Sequence, residues 1–196
     1  ISERSEDSAI TVIQSTGSFF SAGGKLEVVD AGSNLSSGEL VKEISAPNVY
    51  VANAFATHPK LLVCCLNGPA VGLAASMVLL CDMVFAINDS VYLSFPFSAL
   101  GFVPELSSSV TLPWKLGLNS SFDHFVFSSP IGFKELLASG IINKSFNNRN
   151  HSEGSKMSKL FNEQCIEILV PLCEAPSSVA GIKALLSTCQ PQHREW

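Results

Sequence analysis

The chain reads as an α/β domain built on a largely parallel sheet. Three observations carry this reading. Residues 61–86, LLVCCLNGPAVGLAASMVLLCDMVFA, set a continuous apolar strand, a Gly-Pro turn and an apolar helix in succession. Residues 9–14, AITVIQ, form an earlier β-branched run that also ends in a turn. Beyond residue 86, short apolar runs alternate with helically spaced stretches, and the final forty residues are helical throughout.

The elements follow in order. The first strand, 9–14, stops at Ser15-Thr16-Gly17-Ser18, and a Gly23-Gly24 turn comes next. Residues 25–31 and 38–44 predict short helical or irregular pieces around a Gly/Ser-rich loop. Residues 49–57 have helical apolar spacing and must stop before Pro59. The second strand, 61–66, leads into a buried helix over 71–81. Two short strands, 83–87 and 91–93, flank the turn Asn88-Asp89-Ser90. Residues 95–106 are a loop punctuated by Pro96, Gly101 and Pro104. Residues 107–117, 121–128 and 133–139 predict helices, the last ending at Gly140. A polar linker, NNRNHSEGS at 147–155, precedes helices near 157–170 and 176–188. The division expected is a core over 1–146 and a C-terminal helical region over 147–196 that packs on a neighbouring subunit as well. The chain contains no internal repeat.

A length of 196 residues fits one domain. Hydrophobic residues make up 46% and charged residues only 15%, against the usual quarter or so. That balance leaves apolar surface that self-association would cover. The net charge of −5 and the lack of a basic patch exclude a nucleic-acid partner. Residues 61–87 are long enough to cross a bilayer, but Asn67, Pro69 and Asp82 interrupt them, so a buried strand and helix is the better reading. Of six cysteines, Cys64, Cys65 and Cys81 fall inside apolar segments and read as small core residues of a reduced, intracellular protein. The five Asn-x-Ser tripeptides read as chance in a chain rich in both residues.

Two strand-to-turn-to-helix cradles stand out. The first is Phe20-Ser21-Ala22-Gly23-Gly24 and the second Asn67-Gly68-Pro69-Ala70-Val71-Gly72-Leu73. Glycines there let the backbone aim N–H groups into open space, and a helix N-terminus adds partial positive charge. Side by side at the carboxyl ends of parallel strands, such cradles suit an anion or a developing oxyanion. One acid, Glu105, lies downstream in an apolar segment. Two backbone donors and one carboxylate are enough to move a proton next to a carbonyl. Asn48 reads as a helix N-cap, with a polar contact near Glu105 as its functional alternative. Ser76 reads as a packing residue, since no Gly-x-Ser-x-Gly elbow surrounds it. His58, His124, His151 and His193 lack metal-ligand spacing and default to surface or turn positions; no metal site is expected. Asp82, at the end of an apolar helix, is poorly placed for the macrodipole and requires a specific partner such as a backbone N–H.

These motifs resemble the crotonase (enoyl-CoA hydratase/isomerase) superfamily. The aromatic-then-small first signature is matched by Phe20-Ser21-Ala22-Gly23-Gly24-Lys25, and the second by Asn67 through Asp82. The resemblance covers roughly residues 9 to 145 and comes nearest to the fungal peroxisomal enoyl-CoA and dienoyl-CoA isomerases. It implies a crotonase-type spiral of ββα units with a C-terminal helical trimerisation region, assembled as a homotrimer or homohexamer. It implies an isomerase of unsaturated fatty-acid β-oxidation in the peroxisome, acting on an acyl-CoA whose coenzyme A is part of the substrate, with no further cofactor.

By the same resemblance, the N–H groups of Gly24 and Leu73 hold the thioester oxygen. Ser21, Ala22, Gly23, Lys25, Gly72 and Asn48 contact substrate, Lys25 through a CoA phosphate. The positions matching the two glutamates of the hydratases are Ser76 and Phe97, so hydration is not expected. Glu105 matches the single catalytic glutamate of the isomerases and would carry a proton from C2 to C4 of a 3-enoyl-CoA. A dienoyl-CoA isomerase has an acid at the same position and usually a second, so 3,5-dienoyl-CoA is the alternative substrate. A non-catalytic subunit that binds acyl-CoA or a partner is the alternative outside enzymes. Two departures keep that alternative open: Lys25 replaces an Asp, and Leu106-Ser107-Ser108 replaces Gly-Gly-Thr.

Overall fold

Strand β2 (Leu61–Leu66) is the axis of the fold. Val63, Cys64, Cys65 and Leu66 have no exposed surface. A strand apolar on both faces fits only within a sheet covered on both sides, which is the usual setting of parallel strands. The structure, a computed structural model, describes residues 8–24, 36–147 and 154–190. β1 (Ile10–Gln14) and β4 (Met83–Ala86) flank β2 in parallel, with Val12 opposite Val63 and Val63 opposite Met83. β7 (Lys144–Ser145) completes a four-stranded parallel sheet of order β1-β2-β4-β7. A smaller sheet, β3-β5-β6, joins Ala70–Val71, Tyr92–Ser94 and Ile131–Gly132, and its β5–β6 pair is antiparallel. The α/β expectation holds, with this one antiparallel pairing added.

The first described helix, α1 (Ser37–Leu40), runs through a π-helical turn at Val41–Ser45 into α2 (Ala46–Ala56). Helix α2 starts earlier than expected. Pro47 sits in its first turn, where a missing N–H costs nothing. Asn48 is therefore inside the helix and not its cap. Helix α3 is Leu73–Leu80. It starts two residues later than the sequence suggested because Ala70 and Val71 pair with Leu93 and Ser94. Helices α4 (Ser108–Leu116), α5 (Leu118–Val126) and α6 (Phe133–Ala138) follow near their expected places. The pieces expected over 25–31 lie outside the described residues.

His124 is buried, contrary to the surface position expected of it. Both ring nitrogens have partners, Nδ1 at 2.9 Å from the Ser129 carbonyl and Nε2 at 3.1 Å from Glu135 Oε1. A buried imidazole so satisfied costs little. His58 does occupy the turn before Pro59 but is also buried, its Nε2 2.8 Å from Thr11 Oγ1. His151 and His193 lie outside the described residues.

The C-terminal helices pack on this same core. Helix α7 (Gly154–Leu169) buries Phe161, Cys165 and Leu169. The Phe161 ring meets Phe146 edge-on at 5.3 Å, and Phe146 in turn lies 6.1 Å from Phe85 of β4. Helix α8 (Pro176–Ser187) is largely exposed and holds on through Lys183. The Lys183 ammonium donates to Asp82 Oδ1 at 2.6 Å, while Asp82 Oδ2 accepts the Leu62 N–H at 2.8 Å. The backbone partner expected for Asp82 is thus present, and a buried cation joins it. A half-buried lysine, Lys115, donates to the Cys81 carbonyl at the C-terminal end of α3, where positive charge suits the helix dipole. Burial pushes the Lys115 ammonium below its usual range. All six cysteines are free thiols. Among the described residues no single helix is long and apolar enough to cross a membrane.

Candidate active site

The two glycine-bearing turns are sewn to each other. The N–H groups of Phe20 and Ser21 both donate to the Pro69 carbonyl, at 2.9 and 3.4 Å, and the Val71 N–H donates to the Ser21 carbonyl at 3.0 Å. The buried Asn67 amide donates to the Gly17 carbonyl at 3.0 Å. Gly68 explains the closeness: a Cβ there would lie 2.1 Å from the Ser18 carbonyl oxygen. Gly23 is constrained as well, with φ +93 and a hypothetical Cβ 2.8 Å from the Val71 carbonyl oxygen.

This stitching uses up some N–H groups and spares others. The Gly72 N–H donates to the Ser94 carbonyl at 2.8 Å, and the Ser76 N–H donates to the Gly72 carbonyl. Leu73 opens α3, so its N–H has no acceptor within the helix, and no side chain caps that end. In the first turn the Gly23 N–H donates to Ser21 Oγ at 3.2 Å. Among the described residues the N–H groups of Ala22 and Gly24 have no partner. A Cβ on Gly24 would lie 3.6 Å from Leu73 Cδ1. Gly24 and Leu73, the two residues expected to hold an oxyanion, are therefore neighbours through the Leu73 side chain. Ser21, Ala22, Gly23 and Gly72 lie in the same two turns, whereas Lys25 falls outside the described residues.

Glu105 belongs to a second cluster. Its half-buried carboxylate accepts the Asn48 amide at 2.8 Å, Nδ2 to Oε2. Both residues line a cleft of about 450 Å³ together with Val49, Ala52, Leu106 and Ser107. Burial pushes the Glu105 carboxyl above its ordinary value, and the Asn48 hydrogen bond pulls part of the way back. The walls of this cleft come from α2 and the turn before α4, while Gly24 and Leu73 stand apart from its lining. Helix α3 joins the two clusters, since it packs against both α2 and α4. Ser76 is fully buried in α3 and Phe97 packs against Phe95 and Phe125. Neither supplies an acid or base.

The turn after Glu105 holds two features the sequence did not announce. Leu106 and Ser107 adopt left-handed backbone conformations, φ 52 and 59. Ser108 donates both its N–H and its hydroxyl to the Glu105 carbonyl, at 3.0 and 2.6 Å. The departure from Gly-Gly-Thr was the available signal, because glycines commonly mark positive φ.

A family model described as enoyl-CoA hydratase/isomerase matches residues 2–170. The chain belongs to the enoyl-CoA hydratase/isomerase family. It is 49% identical over 188 residues to the Delta(3,5)-Delta(2,4)-dienoyl-CoA isomerase of Saccharomyces cerevisiae, covering 90% of this chain and 65% of that one. It is 35% identical over 198 residues to the 3,2-trans-enoyl-CoA isomerase of the same yeast, covering 96% and 69%. The crystal structure of an enoyl-CoA hydratase from Polaromonas sp. JS666 superposes with a TM-score of 0.79 at 21% identity, covering 95% of this chain and 68% of that one. That likeness shows the shared fold. The chain thus spans about two thirds of the length of these enoyl-CoA hydratase/isomerase relatives. The resemblance read from Phe20–Lys25 and Asn67–Asp82 is borne out at the level of the family and its fold.

Proposed function

We propose that this chain is an isomerase of unsaturated acyl-CoA thioesters, and that it moves the double bond of a 3-enoyl-CoA to the trans-2 position. The observation that carries the reading is Glu105: it is the sole carboxylate lining its cleft among the described residues, with raised proton affinity. Ionised Glu105 removes a proton from C2, and the electrons move into the thioester carbonyl to form a dienolate. The N–H groups of Gly24 and Leu73 hold that oxygen. Protonated Glu105 then delivers the proton to C4, the C3–C4 double bond becomes C2–C3, and the carboxylate is restored. Nothing is gained or lost, so no resident cofactor is needed. Raised proton affinity suits a group that must both take and return a proton.

A 3,5-dienoyl-CoA is the second reading, favoured by the 49% identity to the yeast enzyme named for that substrate. There the proton must travel from C2 to C6, a span for which a second acid is useful. A peroxisomal setting rests on the resemblance to fungal peroxisomal isomerases. Assembly as a trimer or a pair of trimers would cover exposed apolar side chains such as Phe122, Phe127, Leu185 and Leu186.

The test is a spectrophotometric comparison of 3-enoyl-CoA with 3,5-dienoyl-CoA, alongside binding of a non-reactive CoA thioester. Turnover of 3-enoyl-CoA that vanishes in Glu105→Gln is the result expected. Binding without turnover of either substrate would make the chain a non-catalytic acyl-CoA-binding member of the family.

A further inference from the structure

The turn that carries Glu105 is held in an unusual way. Two successive residues with side chains, Leu106 and Ser107, take left-handed conformations that glycine adopts more readily. Such backbone persists only where its surroundings over-determine it. Here three anchors do so. The Leu106 side chain is buried in the core cluster. The fully buried Thr111 grips the Ser107 carbonyl with its N–H at 2.9 Å and its hydroxyl at 3.1 Å. The fully buried Ser108 grips the Glu105 carbonyl with its N–H and its hydroxyl. The 2.6 Å hydroxyl contact is among the shortest of these bonds and falls on the residue whose carboxyl faces the cleft.

We propose that Ser108 is a positioning residue: by clamping the Glu105 main-chain carbonyl it fixes the left-handed turn and so holds the Glu105 carboxyl against Asn48 over the cleft. A pair of glycines would reach the same φ angles but would leave the turn free to reach others. In this chain the side chains and the hydroxyl clamps restrict it. The proposal rests on the reading of Glu105 as the base, because Ser108 touches no substrate atom and acts only through that residue.

The experiment compares Ser108→Ala, Ser108→Thr and Glu105→Gln by kcat, KM, the pH profile of kcat and melting temperature. Ser108→Ala is expected to lose about 10- to 100-fold in kcat, the scale of a displaced catalytic group, with KM within about twofold of wild type. Its acid limb should move to higher pH as the Asn48 contact is lost. Ser108→Thr, which restores the hydroxyl, should recover both. If Ser108→Ala does not fold, Ser108→Cys replaces it, with similar shape and a weaker donor. A folded Ser108→Ala or Ser108→Cys enzyme with wild-type kcat and an unmoved acid limb overturns the proposal. So does a kcat loss that follows melting temperature alone. An active Glu105→Gln enzyme would instead overturn the reading of the base, whatever Ser108 does.

Discussion

The Asn48 amide and the Glu105 carboxylate meet at 2.8 Å although 57 positions separate them in the chain. Two elements bring them together: α2, which carries Asn48, and the tight turn before α4, which carries Glu105. The amide can donate to the ionised acid and so moderates the effect of burial. That balance governs the first two predictions.

Glu105→Gln removes the proton carrier and keeps the shape. Isomerase activity is expected to fall by about 10²- to 10⁴-fold, the range attributed to a positioned general base. The folded protein should become no less stable. The Glu105 carboxyl binds its proton more tightly when folded than near its ordinary value of 4.5, so its contribution to stability is greatest below that value and fades as pH rises through the folded value. A neutral amide escapes that loss. Denaturant melts at pH 5 and pH 8 would show Glu105→Gln gaining on wild type at the higher pH.

The same carboxyl sets the acid limb of activity. Turnover requires the ionised form, so activity should fall as pH drops through a value above 4.5. Among the described residues that line the cleft no other group titrates. Asn48→Ala deletes the bond that lowers the Glu105 pKa, and the acid limb should move to higher pH. An unmoved limb in a folded Asn48→Ala enzyme would show that the amide has no hold on the acid.

Lys183→Met should cost about 3–5 kcal/mol of unfolding free energy at pH 7, the usual penalty for stranding one member of a buried pair. Side-chain exposure is 6% for Lys183 and 10% for Asp82, so water offers little relief. Since α8 is otherwise mostly exposed, limited proteolysis should cut within Pro176–Ser187 faster in the variant. Chemical denaturation and timed digestion together check this.

Gly68→Ala would force a Cβ to within 2.1 Å of the Ser18 carbonyl oxygen. The turns must part, taking the Phe20 and Ser21 N–H groups from the Pro69 carbonyl. Overpacking of this kind costs about 1–3 kcal/mol. Affinity for a CoA thioester should drop with it, and calorimetric titration of the folded variant reads that directly.

What the sequence made legible was local. Strand β2 and helix α3 were readable because every residue from Leu61 to Leu66 is apolar and small residues line the turn that follows. The approach of the two cradles was foreshadowed by Gly23 and Gly68, which sit where a side chain would collide with backbone. Glu105 was found from the resemblance of its surroundings. Partners far along the chain left no such mark. Asn48 looked like a cap because its pairing is tertiary, and nothing around Lys183 marked it as the partner of Asp82. His124 seemed an ordinary surface residue, for nothing adjacent to it announces Glu135 and the Ser129 carbonyl as partners. Positive φ at Leu106 and Ser107 is hidden wherever a Cβ is present.

The Asp82–Lys183 tie also bears on how the protein is made. The two residues are 101 positions apart, so Asp82 leaves the ribosome long before its cation exists. At about 5–20 residues per second the delay is roughly 5–20 s. During that interval the nascent sheet carries the Asp82 carboxylate without the Lys183 ammonium that binds it in the finished fold. Docking of α8 then waits on the synthesis of Lys183, and a stall before that residue would leave the buried pair unmade and the chain exposed to quality control.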